Sequence, residues 1–236
     1  MFSLGLVVLV VILALAFDYI NGFHDTANAI ATSVSTKALS PRNAIMIAAT
    51  LNFLGALSGT AVAATIGKNI ISPELVTPSV MTAALIGAIF WNLFTWYFGI
   101  PSSSSHALIG GLVGAVIAGF SLHHVNWMGF VQIFAGLVIS PVVGLVAGSL
   151  VMTLLFWIFR GGSPALINNK FRKLQMVSAC MASFAHGSND AQKTMGIITM
   201  VLVGGGFLST FQVPLWVKVA CALAMAAGTA MGGWKI

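Results

Sequence analysis

From Leu75 to Phe159 the chain contains no Asp, Glu, Lys or Arg. Soluble globular domains carry about a quarter charged residues, so a stretch this long without one has too little polar surface to cover a body in water. A transmembrane helix needs roughly 20 apolar residues, and the interval has room for three or four such segments. The rest of the chain agrees, with 58% of its 236 residues hydrophobic and only 6% charged. The expected fold class is an all-α polytopic membrane protein whose solvent is the lipid bilayer.

Apolar segments cover roughly 2–20 with a continuation at 26–36, then 43–66, 79–98, 105–119, 128–158, 174–203 and 212–231. The breaks are chemically legible. "KALSPR" is a turn in which Ser40 and Pro41 suit the opening of a helix. "GKNIISPELVTPS" is a polar connection, "GIPSSSSH" a short interruption, and Pro141 predicts a kink within 128–158. The N-terminus lacks a basic leader and a cleavage site, so the first segment reads as a retained helix. Cys180 and Cys221 show neither metal nor redox spacing.

The net charge of +6 does not point to nucleic acid, because the basic residues fall in short connections. Cytoplasmic loops are biased toward Lys and Arg. On that rule the linker 160–173, with Arg160, Lys170, Arg172 and Lys173, is cytoplasmic, as is the turn carrying Lys37 and Arg42. The N-terminus is then external, and the second half of the chain begins inside, with the opposite orientation to the first.

Three polar stretches interrupt this apolar background. In "NGFHDTANAIATS", Asp25 and Asn28 share a helix face with Thr32, and Asn21 and Gly22 offer a place for the helix to break. A carboxylate, an amide oxygen and freed backbone carbonyls are hard oxygen ligands for a cation such as sodium; Asp25 or His24 would equally carry a proton. "FAHGSNDAQKTMG" gathers His186, Asn189, Asp190, Gln192 and Lys193, with Gly187 and Gly196 predicting local unwinding. There Asp190 reads as a cation or proton site and Lys193 as a group that neutralises an anion, or the two simply pair. In "PSSSSHALIGG", Ser102, Ser103, Ser104 and Ser105 at a helix start supply several donors for a tetrahedral oxyanion. "GFHDTANAIAT" and "GSNDAQKTMGI" align Asp25 on Asp190. Two related motifs in halves of opposite orientation are the signature of an inverted-repeat transporter. No nucleophile–base or metal-ligand motif of an enzyme is present.

Together, "NGFHDTANAIATSVSTKALSPR", "WNLFTWYFGIPSSSSHALIGG" and "FAHGSNDAQKTMGI" resemble the inorganic phosphate transporter (PiT) family of cation-coupled phosphate symporters, over nearly the whole chain. The resemblance implies two inverted repeats, each with a broken helix and a serine-rich re-entrant hairpin. Residues 1–159 would be the first repeat, with its broken helix over 1–36 and its hairpin over about 79–119. Residues 160–173 would be the cytoplasmic linker, and 174–236 the start of the second repeat. Members of that family continue past "MGGWKI" into a second hairpin, so the resemblance also implies a C-terminally truncated member.

The implied function is sodium- or proton-coupled symport of inorganic phosphate across the cell membrane, with no cofactor beyond the coupling ion. Phosphate would be held by Ser102 to Ser105, Asn28, Asn189, Gln192 and Lys193. The cation would be held by Asp25, Asn28, Asn189 and Asp190. A transporter of another oxyanion such as sulfate, or a non-transporting membrane subunit, is the alternative. The partners expected are phosphate, the coupling cation and lipid; a homo-oligomer is compatible with the sequence, and nucleic acid is not expected.

Overall fold

Serine or threonine followed by proline opens several of the helices in this chain. Ser40 accepts a hydrogen bond from the Asn43 N–H at 3.3 Å, and Thr77 one from the Val80 N–H at 3.3 Å. Each thereby satisfies one backbone donor at a helix start, with Pro41 and Pro78 supplying a preset φ at the first helical position. In the computed structural model, which describes residues 2–64, 75–125 and 127–232, every regular element is helical. They are α1 (Leu4–Ser35), α2 (Pro41–Leu57), α3 (Pro78–Phe98), α4 (Ser104–Gly119), α5 (Trp127–Phe159), α6 (Pro164–Gly204) and α7 (Leu215–Gly232), with a 3-10 turn at Leu122–His124. Most of the polar connection between α2 and α3 lies outside the described residues.

Among these, α1, α3, α5 and α7 are long and apolar enough to cross a membrane. With a rise of 1.5 Å per residue, α1 with its 32 residues measures about 48 Å, well over the roughly 30 Å of bilayer hydrocarbon. The 16 residues of α4 make about 24 Å, short of a full crossing. Helices α3 and α4 pack against each other as a hairpin. Its tip is made by Gly99, whose left-handed φ of 66° ends α3, and by the Ile100 N–H, which returns to the Thr95 carbonyl at 2.8 Å.

The two halves of the chain interleave. Helix α1 packs on α7, and α2 packs on α6. Four glycines set these contacts in a reciprocal pattern. A Cβ on Gly22 would lie 2.2 Å from the Met225 carbonyl oxygen, and one on Gly228 would lie 1.9 Å from that of Tyr19. In the other pair, a Cβ on Gly187 would lie 2.1 Å from the Asn52 carbonyl oxygen, and one on Gly55 would lie 2.2 Å from that of Phe184. Only glycine lets the backbones approach so closely, as in other small-residue helix contacts of membrane proteins. Around them the core is built from Val10, Ala14, Phe17, Met81, Leu85, Met195, Ile198, Val217 and Met225.

These contacts correct the expectation of broken helices. Helix α1 passes through Asn21 and Gly22 without interruption, and α6 through Gly187 and Gly196. The glycines serve close packing instead of unwinding, and a glycine that faces another backbone is stabilised by that contact in the helical state. Most of the basic stretch 160–173 is itself helical. Only 160–163 stand outside helices, because Ser163 and Pro164 start α6 and nothing in "ALINNKFRK" stops it. Helix α5 runs through Pro141 as one element, with none of its described residues fully buried.

Candidate functional site

Asp25 lies ten residues before the end of α1, about 15 Å along the axis. Its surroundings are built by α1 itself, the hairpin tip and α6. His24 Nδ1 is 2.8 Å from Asp25 Oδ1. From the hairpin tip, the Ser104 hydroxyl stands 2.7 Å from Asp25 Oδ2 and 2.8 Å from Asn21 Oδ1, sharing one proton between two acceptors. Asn21 in turn donates through Nδ2 to Asp190 Oδ2 at 3.4 Å. The hairpin is seated on α1 by Phe23, whose ring meets Trp96 edge-on at 5.1 Å, and by His24 Nε2, 3.4 Å from Thr95 Oγ1.

The α6 motif enters from the opposite side. Lys193 Nζ pairs with Asp190 Oδ1 at 2.6 Å and also donates to the Ser105 hydroxyl. His186 Nε2 lies 3.6 Å from Asp190 Oδ2, and its Nδ1 is 3.1 Å from Asn52 Oδ1. One oxygen or nitrogen from each of Asp25, His186 and Asp190 fits within 4.8 Å of the others. Those are separations at which a single small cation reaches all three. Beside them is an open cavity of about 300 Å³ lined by Asp25, Asn28, Ala29, Ser102, Ser103, Ala182 and His186. At roughly 30 Å³ per water it has room for a tetrahedral oxyanion with part of its hydration.

The structure thus brings together Asp25, Asp190, Lys193, Ser104 and Ser105, with Asn28, Ser102 and Ser103 on the cavity wall. Ser102 is further tied by the Trp91 indole N–H at 3.1 Å. Two candidates are turned to other tasks. Gln192 accepts from the Val62 N–H at 2.8 Å and donates to the Ser188 carbonyl at 2.6 Å, so both ends of its amide hold backbone. Asn189 is exposed and donates to the Ala185 carbonyl at 2.9 Å. Sequence reasoning read Asn21 as a helix breaker, yet it links the two carboxylate centres; its place one helical turn before Asp25 was the available signal. Asn52 joins helices, accepting from His186 and donating to Thr229 Oγ1 at 2.9 Å. The side chain of Asn92 is buried without a hydrogen-bond partner.

Long apolar helices around a largely buried cluster of opposed charges are the features of a polytopic membrane protein. Such groups, when they face a bundle interior, mark ion and substrate paths. The profile of the phosphate transporter family matches residues 21–236, and the chain belongs to that family. A Bacillus subtilis protein named "Probable low-affinity inorganic phosphate transporter" is 53% identical over 98% of this chain and 70% of its own length. A Rhizobium meliloti protein of the same name is 50% identical, again over 98% of this chain and 70% of its own length. Among solved structures, one described as the sodium-dependent phosphate transporter superposes with a TM-score of 0.83 over 98% of this chain and 76% of that chain. At 24% identity, that likeness establishes the shared helical fold.

Proposed function

We propose that the chain carries inorganic phosphate across the cell membrane by symport with a cation. The observation that carries this reading is the meeting of Asp25 and Asp190 with the hairpin serines through Ser104 and Lys193. It puts cation ligands and anion donors within one set of contacts. Asp25, Asp190 and His186 hold the cation. Ser102, Ser103 and Asn28 on the cavity wall, with Ser105 and Lys193 beside it, hold the anion. Cation and phosphate charges then offset each other, which lowers the cost of carrying either through a medium of low dielectric.

Phosphate is favoured over sulfate because Asp25 borders the cavity. A carboxylate accepts a hydrogen bond that protonated phosphate can donate and sulfate, fully deprotonated, cannot. The reciprocal glycine contacts, α1 with α7 and α2 with α6, support an inverted-repeat architecture in which one group of helices rocks against another about the site. The hairpin tip, touching α1 at Asp25, and the 16-residue length of α4 support a re-entrant α3–α4 pair. The basic stretch from Arg160 to Lys173 supports a cytoplasmic location for that end of α6 and an external N-terminus.

Labelled phosphate uptake into proteoliposomes under imposed sodium or proton gradients tests the proposal. Uptake that follows one gradient and resists excess sulfate is the expected result. Hydrolysis of phosphate esters in place of uptake would replace the reading with an enzymatic one.

A further inference from the structure

The acidic residues of the chain are Asp18, Asp25, Glu74 and Asp190, against 10 Lys and Arg. Asp18 is fully buried and accepts from the Thr194 hydroxyl at 2.5 Å. Asp25 and Asp190 belong to the site described above, and Glu74 lies outside the described residues. Most of the basic groups must therefore find their counterions outside the chain. Two of them share a cavity.

That cavity, of about 390 Å³, is lined by Thr36, Lys37, Asn168, Phe171, Arg172 and Gln175. It forms where α1 ends and α6 begins. Asn168, Phe171, Arg172 and Gln175 recur at helical spacing, so a single face of α6 supplies them. The Ser33 hydroxyl donates to the Gln175 carbonyl at 3.2 Å, and the Thr36 hydroxyl to Gln175 Oε1 at 2.6 Å. Arg172 donates to the Lys37 carbonyl, a bond that occupies one of the several N–H donors of a guanidinium. Among the described residues, neither Lys37 nor Arg172 forms an ion pair. Lys37 also has a left-handed φ of 58° at a helix end where glycine is the usual residue. The shape of the turn therefore does not explain a lysine there.

The wall beside these cations is apolar. Phe171 meets Phe159, the last residue of α5, edge-on at 5.2 Å. Arg160 stands 5.0 Å from the centre of the Trp157 ring, and Leu154, Phe156 and Ile158 are exposed on the last turns of α5. Free phosphate would use the cations alone. A phosphate that carries acyl chains uses both surfaces, and basic residues at a membrane face attract anionic lipids.

We propose that this cavity binds the headgroup of an anionic phospholipid, its phosphate held by Lys37 and Arg172 and its acyl chains lying along the end of α5. Thr36 lies 11 residues beyond Asp25, about 16 Å along the helix axis, so the lipid site is separate from the one assigned to transport. A lipid bound here bridges the end of α1 to the start of α6. The inference goes beyond the symport reading and does not depend on it.

Native mass spectrometry of the full chain in detergent tests the proposal, with dioleoylphosphatidylglycerol, dioleoylphosphatidylcholine and inorganic phosphate as probes. The anionic lipid should bind at least about tenfold more tightly than the zwitterionic one, and excess inorganic phosphate should not displace it. The double variant Lys37→Asn with Arg172→Gln should weaken its binding by about 10- to 100-fold. Asparagine is chosen because it tolerates the left-handed conformation. Lys170→Gln, which removes a charge outside the cavity lining, should change the binding by less than about twofold. Equal binding of the two lipids by the wild type would overturn the proposal without reliance on any variant's folding. Displacement of the lipid by inorganic phosphate would reassign the cavity to the free anion. A loss in Lys170→Gln as large as in the double variant would reduce the effect to diffuse surface charge, and the site would fall.

Discussion

Ser104, at the first position of α4, sets its hydroxyl 2.7 Å from Asp25 Oδ2 on α1. One contact thereby ties the hairpin tip to the acidic residue that the sequence most strongly marks. A hydrogen bond to a charged group contributes about 1.5–3 kcal/mol. Ser104→Ala is accordingly expected to weaken apparent cation affinity by about 10- to 100-fold, measured as the cation dependence of phosphate uptake at matched protein levels. Ser104→Thr should keep most of it.

Lys193 and Asp190 form a largely buried pair at 2.6 Å. Removing one member of such a pair leaves an uncompensated charge, at a cost of about 3–5 kcal/mol. Lys193→Met and Asp190→Asn should each lower the unfolding temperature in detergent, and the double variant should recover part of the loss. Neither the singles nor the double should regain phosphate uptake, since stability and transport draw on different properties of the pair.

The glycines separate into two groups. Gly22 and Gly187 face backbone carbonyls at distances no Cβ tolerates, whereas Gly114 and Gly136 have nothing within 4 Å of theirs. Overpacking a tight contact costs at least about 1–3 kcal/mol. Gly22→Leu and Gly187→Leu should therefore reduce the folded yield and unfolding temperature sharply, while Gly114→Ala and Gly136→Ala leave both unchanged. Equal tolerance at all four positions would contradict the packing described.

Gln192 gives the opposite test from Lys193, its neighbour in sequence. Its carbonyl oxygen holds the Val62 N–H at 2.8 Å, so Gln192→Ala should cost about 1 kcal/mol of stability and leave the KM for phosphate unchanged. A large rise in KM with normal stability would return Gln192 to the binding site.

Most of the architecture was legible in the sequence because lipid leaves a chain few choices. Apolar length marked the helices, and Ser40 with Pro41 marked the start of α2 through ordinary capping chemistry. Asp25, Asp190, Lys193 and the serine run were legible because charge and hydroxyl groups are conspicuous against an apolar background. Gly22 and Gly187 were misread, since a glycine that unwinds a helix and one that admits a neighbouring backbone are the same residue in sequence. Only the position of Met225 or Asn52 in space distinguishes them. Gln192 and Asn189 were grouped with the site for a related reason: a polar motif written on one helix turns some of its members away from the cavity, and which ones depends on the helices packed around it. Asp18, seven residues from Asp25, gave no sign of its complete burial because the partner that covers it, Thr194, is far along the chain.

The central claim is that Asp25 and the hairpin serines form one site in which a cation and phosphate are carried together. Gradient-driven uptake of labelled phosphate by the reconstituted chain, compared with Asp25→Asn at equal protein content, tests it most directly. Uptake by the wild type that resists sulfate and is abolished in Asp25→Asn is the predicted result. Undiminished, gradient-dependent uptake by Asp25→Asn would contradict it.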